Sequence, residues 1–201
     1  MENRLILASE SPRRCDLLNQ IGVKFDVIPS GIVEDIAPCE TARDQVVRLA
    51  ELKGREVGVT YPDRWVIAAD TTVCIKESIF GKPRNAGEAI EMLRALSGQE
   101  HRVLTAFSVQ HFEKARGEVE TVETAVRIKT LSPAELAWYV TTGEPFDKAG
   151  GYAVQGIGSY MIESIRGSYT NVVGLPLCEL VQMLQRVGAI RISERGIEVL
   201  R

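Results

Sequence analysis

Histidine is scarce in this chain, which carries only His101 and His111. Two imidazoles are too few for a multi-histidine metal centre, so acid–base chemistry falls mainly to carboxylates. Cysteine is sparse as well. Cys15, Cys39, Cys74 and Cys178 lie far apart and form no Cys-x-x-Cys pair, which argues against a thiol zinc site or a redox motif. They read as reduced, partly buried thiols of a reducing cytosol. No apolar run approaches the ~20 residues of a membrane span. No basic region followed by a long apolar stretch opens the chain, so a cytoplasmic protein is expected. A basic excess is also missing, with 24 Lys and Arg against 27 Asp and Glu and a net charge of −3. Sequence-independent nucleic-acid binding needs a strongly basic face, so neither nucleic acid nor membrane is an expected partner. A phosphorylated ligand is compatible with this balance if the cations gather in one cleft. No repeat, low-complexity tract or flexible linker interrupts the 201 residues, which read as one domain or two closely joined lobes.

Hydrophobic patterning supplies the elements. Residues 4–8 are apolar and short, a buried strand. A helix starts abruptly after them, with Ser11 as its cap, Pro12 at its first position and Leu17, Leu18 and Ile21 inward. A second strand is expected at 25–29 and a helix at 41–57 with Val46, Val47, Leu49, Ala50 and Leu52 inward. Residues 65–69 read as a buried strand ending at Asp70. Asn85, with Glu88 three residues on, opens a helix that Gly98 stops. Strands at 102–111 and 119–128 are joined by the polar turn 113–117. Ser132 and Glu135 form a capping box. The region 150–158 is a glycine-rich loop, 161–165 a strand and 177–187 a closing helix. Helices and strands intermix with a hairpin, so the class is α/β with a mixed sheet.

Five short segments could carry chemistry. In Ser9-Glu10-Ser11-Pro12-Arg13-Arg14, a strand end meets a helix start, where free N–H groups and the positive helix end favour an anion. The Ser9 hydroxyl and the Arg13 and Arg14 guanidinium forks suit phosphate, although the same pattern fits a capped helix with two solvated arginines. The segment is not a P-loop, because the glycines and the Gly-Lys-Ser/Thr ending are absent. In Asp70-Thr71-Thr72, a carboxylate follows a buried strand at the rim where α/β proteins bind ligands. There it can hold a metal or activate water, or be an ordinary turn residue. Lys82, between Gly81 and Pro83, and Lys53, within the second helix, are point charges for phosphate or solvated lysines. Glu34-Asp35 is an exposed acidic pair or a source of a second carboxylate for a hard cation. In 147–156, glycines permit close backbone approach to a ligand. There Gln155 offers one donor group and one acceptor to a base edge.

Together these segments resemble the Maf family of nucleoside triphosphate pyrophosphatases, also called septum-formation inhibitors. The matching stretches are LASESPRRCDLL at 7–18, AADTTV at 68–73, GKPRNAGEAIEMLRALSGQEHRVLTA at 81–106, DKAGGYAVQG at 147–156 and GSYTNVVGLPL at 167–177. The resemblance runs from about residue 4 to 187, and the tail beyond carries none. It implies a single two-lobed α/β domain over 1–201, with the nucleotide in a cleft between lobes, similar to the inosine-triphosphate pyrophosphatases. It places the general base on Asp70, substrate selection on Arg13, Thr71 and Gln155, phosphate contacts on Ser9, Arg14, Lys53 and Lys82, and metal contacts on Glu34 and Asp70. The Gln of AVQG and the GSYTNVVGLP segment resemble the branch acting on dTTP and UTP, modified pyrimidine nucleotides included, whereas the 7-methyl-GTP branch carries a different segment. One departure is Val33, where some members carry a second acid.

The expected reaction is attack of water on the α-phosphorus with departure of pyrophosphate, supported by a divalent cation, Mg²⁺ or Mn²⁺. A nucleoside triphosphate is the expected partner, and a homodimer stays open. The alternative is a nucleotide-sensing regulator of septum formation without physiological turnover. The acids weigh against it, because a carboxylate beside phosphates is repulsive unless it holds a metal or acts as a base.

Overall fold

Strand β1 (Leu5–Leu7) is buried along its whole length, as a strand covered on both faces must be. Its parallel partners are β2 (Phe25–Val27) and β3 (Val66–Ile75), in register Leu5 to Phe25 and Ile6 to Val66. Parallel neighbours need crossovers. Helices α1 (Pro12–Gln20) and α2 (Ala42–Thr60) lie in the connections that make them. This computed structural model describes residues 4–34 and 40–200. Asp35 and Cys39, both considered above, lie outside the described residues.

The chain continues through β4 (Ser78–Phe80), α3 (Ala86–Leu96), β5 (Glu100–His111), β6 (Arg116–Ile128) and α4 (Pro133–Thr141). Three short 3-10 turns follow, then β7 (Ile162–Arg166), α5 (Tyr169–Val173), α6 (Leu177–Arg186) and a terminal hairpin of β8 (Ile190–Ser193) and β9 (Gly196–Val199). The main sheet has seven strands in the order β2-β1-β3-β5-β6-β7, with β4 paired to β3. Parallel β1 pairings and antiparallel β3–β4 and β6–β7 pairings make it a mixed sheet, so the fold is α/β as expected.

Three local expectations are corrected. Asp70 does not end its strand. β3 runs on to Ile75 because Val73, Cys74 and Ile75 pair with the β4 arm of a hairpin. Ser11 makes no side-chain cap to α1. The Ser9 hydroxyl meets the backbone there instead, accepting from the Ser11 N–H at 3.2 Å. Asn85 does cap α3, taking the Glu88 N–H at 2.9 Å, but the Glu88 carboxylate turns to the Arg84 N–H at 2.8 Å. The Ser132–Glu135 capping box of α4 is complete, with both reciprocal bonds present.

The chain forms two compact units. The first comprises Met1–Asp70, Thr105–Thr121 and Gly174–Arg201, the second Thr71–Leu104 and Val122–Val173. Each has its own apolar core. In the first, Ile6, Ala8, Val57, Val66 and Ala68 pack with Ile28 and Tyr61. In the second, Leu93, Leu96, Val126, Ile128, Leu136 and Tyr139 are among the buried residues. No described helix is long and apolar enough to cross a membrane.

Candidate active site

In the first unit, the segment after β1 lies against the first residues of β3. The Ala8 N–H reaches the Ile67 carbonyl at 2.8 Å. Arg14, one turn into α1, extends that contact, giving a guanidinium N–H to the Ala69 carbonyl at 2.8 Å and another bond to Ser9 Oγ at 3.1 Å. Its Nε donates to the Gly174 carbonyl at 2.8 Å. One planar fork thus ties three chain segments together beside Asp70, which a single-point lysine ammonium would not do. Burial lowers the Arg14 pKa, the Asp70 and Glu34 charges oppose that, and Arg13 adds to it.

Asp70 is buried, at 6% exposure, and so is Lys53. The Lys53 ammonium donates to Asp70 Oδ1 at 2.7 Å and to Glu34 Oε1 at 2.5 Å. One cation therefore sits between two carboxylates from distant parts of the chain, which is how a buried lysine is compensated. Desolvation pushes the Asp70 carboxyl above the ordinary aspartate range, against the Lys53 and Arg14 charges, and Glu34 adds to the rise.

Lys53 is held in place by close packing of α2 on β5. The Ser108 hydroxyl donates to the Ala50 carbonyl at 2.9 Å, and the Gln110 amide to the Glu51 carbonyl at 3.2 Å. A Cβ at Gly54 would lie 2.7 Å from Gln110 Nε2 and 2.9 Å from Ser108 Oγ, and one at Gly58 would run into the Phe112 ring. Glycine at these two positions lets the helix backbone approach the strand. The segment leading to Glu34 is tied to the same helix, through the Gly31 N–H and Glu56 Oε2 at 2.7 Å.

The contacts among Ser9, Arg14, Glu34, Lys53 and Asp70 bring these five predicted residues together. Arg13 follows Pro12 on α1 and is half-buried. Thr71, Lys82 and Gln155 belong to the second unit. There the Gly150 N–H bonds to the Gly81 carbonyl at 3.0 Å, which joins the turn carrying Lys82 to the glycine-rich loop. Gly150 has φ +72°, and a Cβ on it would press into Val73 at 3.0 Å. Lys82 and Gln155 are exposed.

Sequence reasoning missed Tyr139 and Glu144, whose side chains hold the loop that carries Gln155. The Glu144 carboxylate accepts from the Ile157 N–H at 2.9 Å, the Gly158 N–H at 2.7 Å and the Tyr139 hydroxyl at 2.7 Å. Nothing local marks Glu144, an acid in a turn after a helix. Among the described residues no group of three or more His, Cys, Asp or Glu side chains is placed to hold a metal ion. Asp70 and Glu34 are nonetheless hard oxygen donors converging on one cation. That suits a divalent ion bound by one or two carboxylates together with phosphate oxygens.

Comparison with known proteins agrees with the motif pattern. A family model described as Maf, Maf-like protein, matches residues 4–187. A protein of Syntrophus aciditrophicus named dTTP/UTP pyrophosphatase is 48% identical over 96% of this chain and 94% of its own length. A protein of Geobacter sulfurreducens with the same name is 47% identical over 94% of this chain and 99% of its own. Among solved structures, the Staphylococcus aureus Ham1 protein is similar at 16% identity over 80% of each chain, with a TM-score of 0.46. On the family match and the identities of its relatives, the chain belongs to the Maf family.

Proposed function

We propose that the protein is a nucleoside triphosphate pyrophosphatase that hydrolyses dTTP and UTP to the monophosphate and pyrophosphate. The reading rests on one observation above the others. In a chain nearly half identical to proteins named dTTP/UTP pyrophosphatase, a buried carboxylate, Asp70, shares one cation with Glu34.

In this mechanism Asp70 takes a proton from the attacking water. The water oxygen forms a bond to the α-phosphorus, and the bond to the β-phosphate bridge breaks to release pyrophosphate. The raised proton affinity that burial gives Asp70 brings it closer to working pH, where a general base is most effective. Lys53 holds the carboxylate in place. Ser9, Arg14 and Lys82 face phosphate oxygens, with Arg14 bracing Ser9. Arg13, Thr71 and Gln155 select the base. Uracil and thymine share an N3–H between two carbonyls, which the Gln155 amide can match with its oxygen and nitrogen. Arg13 can only donate, so it favours a carbonyl over the amino group of cytosine.

A divalent cation, Mg²⁺ or Mn²⁺, would be held by the Glu34 and Asp70 carboxylates together with phosphate oxygens. When bound it offsets charge on the triphosphate and on the leaving pyrophosphate. The test is turnover of dTTP with Mg²⁺, before and after EDTA. We expect pyrophosphate release that EDTA abolishes and added Mg²⁺ restores. Tight nucleotide binding without turnover would instead support a sensor.

A further inference from the structure

The loop that carries Gln155 is clamped from beneath by two side chains. Tyr139, fully buried on α4, accepts the Ala153 N–H at 3.2 Å and donates its hydroxyl to Glu144 at 2.7 Å. Glu144 takes the N–H groups of Ile157 and Gly158. The bonds fall on residue 153 before Gln155 and on residues 157 and 158 after it, so the exposed glutamine stands at the crest of a span fixed at both ends. Gly156 closes the span. Its φ is +83° and its ψ −149°, a conformation kept for glycine, and a Cβ there would collide with Glu144 Oε1. At Gly158 a Cβ would lie 2.7 Å from both the Ala153 carbonyl oxygen and the Tyr139 hydroxyl. The Ser159 hydroxyl also donates to the Gly156 carbonyl at 2.7 Å. Glu144 is itself anchored, since the Lys148 ammonium donates to its carbonyl at 2.8 Å and its N–H reaches Thr142 Oγ1 at 3.2 Å.

We propose that Glu144 and Tyr139 are positioning residues for base selection, holding the 153–158 backbone so that the Gln155 side chain is presented to uracil or thymine from one fixed position. This rests on the reading that Gln155 selects the base. The amide pairs with the base edge only if its backbone places it within hydrogen-bond reach, so loosening the span weakens the pairing that uracil and thymine share. The Glu144 carboxylate can accept all three hydrogen bonds at once. A glutamine in its place has one acceptor oxygen and an amide that opposes the remaining N–H donors.

The test compares kcat/KM for dTTP, UTP and CTP, with thermal melting, in wild type, Gln155→Ala, Glu144→Gln, Tyr139→Phe and the Glu144→Gln/Gln155→Ala double variant. We expect Glu144→Gln to lower the dTTP-over-CTP ratio about tenfold, the scale of one charge-assisted hydrogen bond. Tyr139→Phe should lower it by a smaller factor. The double variant should show the same ratio as Gln155→Ala alone, because the clamp acts through that residue. If Glu144→Gln and Tyr139→Phe fold but keep the wild-type ranking of bases while Gln155→Ala loses it, the clamp is refuted and the Gln155 reading stands. If Gln155→Ala also keeps the ranking, that reading falls and the clamp falls with it. Should Glu144→Gln fail to fold, Tyr139→Phe, which removes a single oxygen, decides the matter alone.

Discussion

At the scale of single residues, the site is governed by what is done with buried charge. Lysine, glutamate and aspartate are seldom buried unless paired. Here Lys53 and Asp70 are each 6% exposed, and Glu34 reaches the same ammonium from a more open position. Asp70→Asn keeps the size and an oxygen for Lys53 but removes the proposed base. We expect turnover to fall roughly 10²-fold or more, in line with general-base contributions, while nucleotide binding persists. Single-turnover kinetics with a parallel binding measurement checks this, and near-full activity would remove Asp70 from its assigned role. Lys53 also marks where the sequence ran out. Taken alone it reads more often as a solvated lysine, because its two partners lie 19 and 17 residues away. By contrast Arg14 and Ser9 are marked locally by a helix start, and Asp70 by the buried apolar run before it, although its strand runs on to Ile75. The bracing of Arg14 on Gly174, 160 residues on, has no such mark.

At the scale of elements, α2 matters because it carries Lys53, and its closeness to β5 depends on Gly54 and Gly58. Gly54→Val would force a branched side chain against Ser108 and Gln110. Overpacking of this kind costs about 1–3 kcal/mol. We expect a lower melting temperature together with reduced turnover, as the helix shifts and Lys53 moves from Asp70. Unchanged kinetics in a destabilised variant would mean that the helix contact does not place the lysine.

A second element-scale prediction concerns β5 in the other unit. His101 is 1% exposed, its Nε2 lies 2.7 Å from the Tyr152 hydroxyl, and burial lowers its pKa to about 4. The unfolded chain takes up a proton near the ordinary histidine value while the folded chain stays neutral. The stability tied to this group is therefore present above about pH 6.5 and lost as pH falls toward 4, by about 3 kcal/mol. Unfolding free energies of wild type and His101→Gln, taken from denaturant melts at each pH, should diverge by this amount in total across that range. A constant difference would contradict it.

The elements were legible where local chemistry sets them. The α4 capping box and the Gly98 stop needed only their own residues, and Gly98 has the left-handed φ of +67° that such a stop uses. The second half of β3 leaves little mark in the sequence because it is stabilised by β4, a three-residue strand with little pattern of its own. The β8–β9 hairpin lies in the tail where the resemblance ends, and its turn depends on Gly196 at φ +111°.

At the scale of the whole molecule, a net charge of −3 is compatible with a highly anionic substrate only if cations are gathered locally. Arg14 and Lys53 gather in one unit, but Asp70 and Glu34 balance their charge, so the proposed reading relies on a divalent cation to supply the excess. The central claim joins a cleavage position to a base preference, and one measurement reads both. The protein is incubated with Mg²⁺ and each of dTTP, UTP, CTP, ATP and GTP, and the products are resolved with pyrophosphate separated from orthophosphate. The account predicts monophosphate and pyrophosphate, with dTTP and UTP turned over well ahead of the other three. Release of orthophosphate with a diphosphate left behind, or preference for a purine triphosphate, would contradict it.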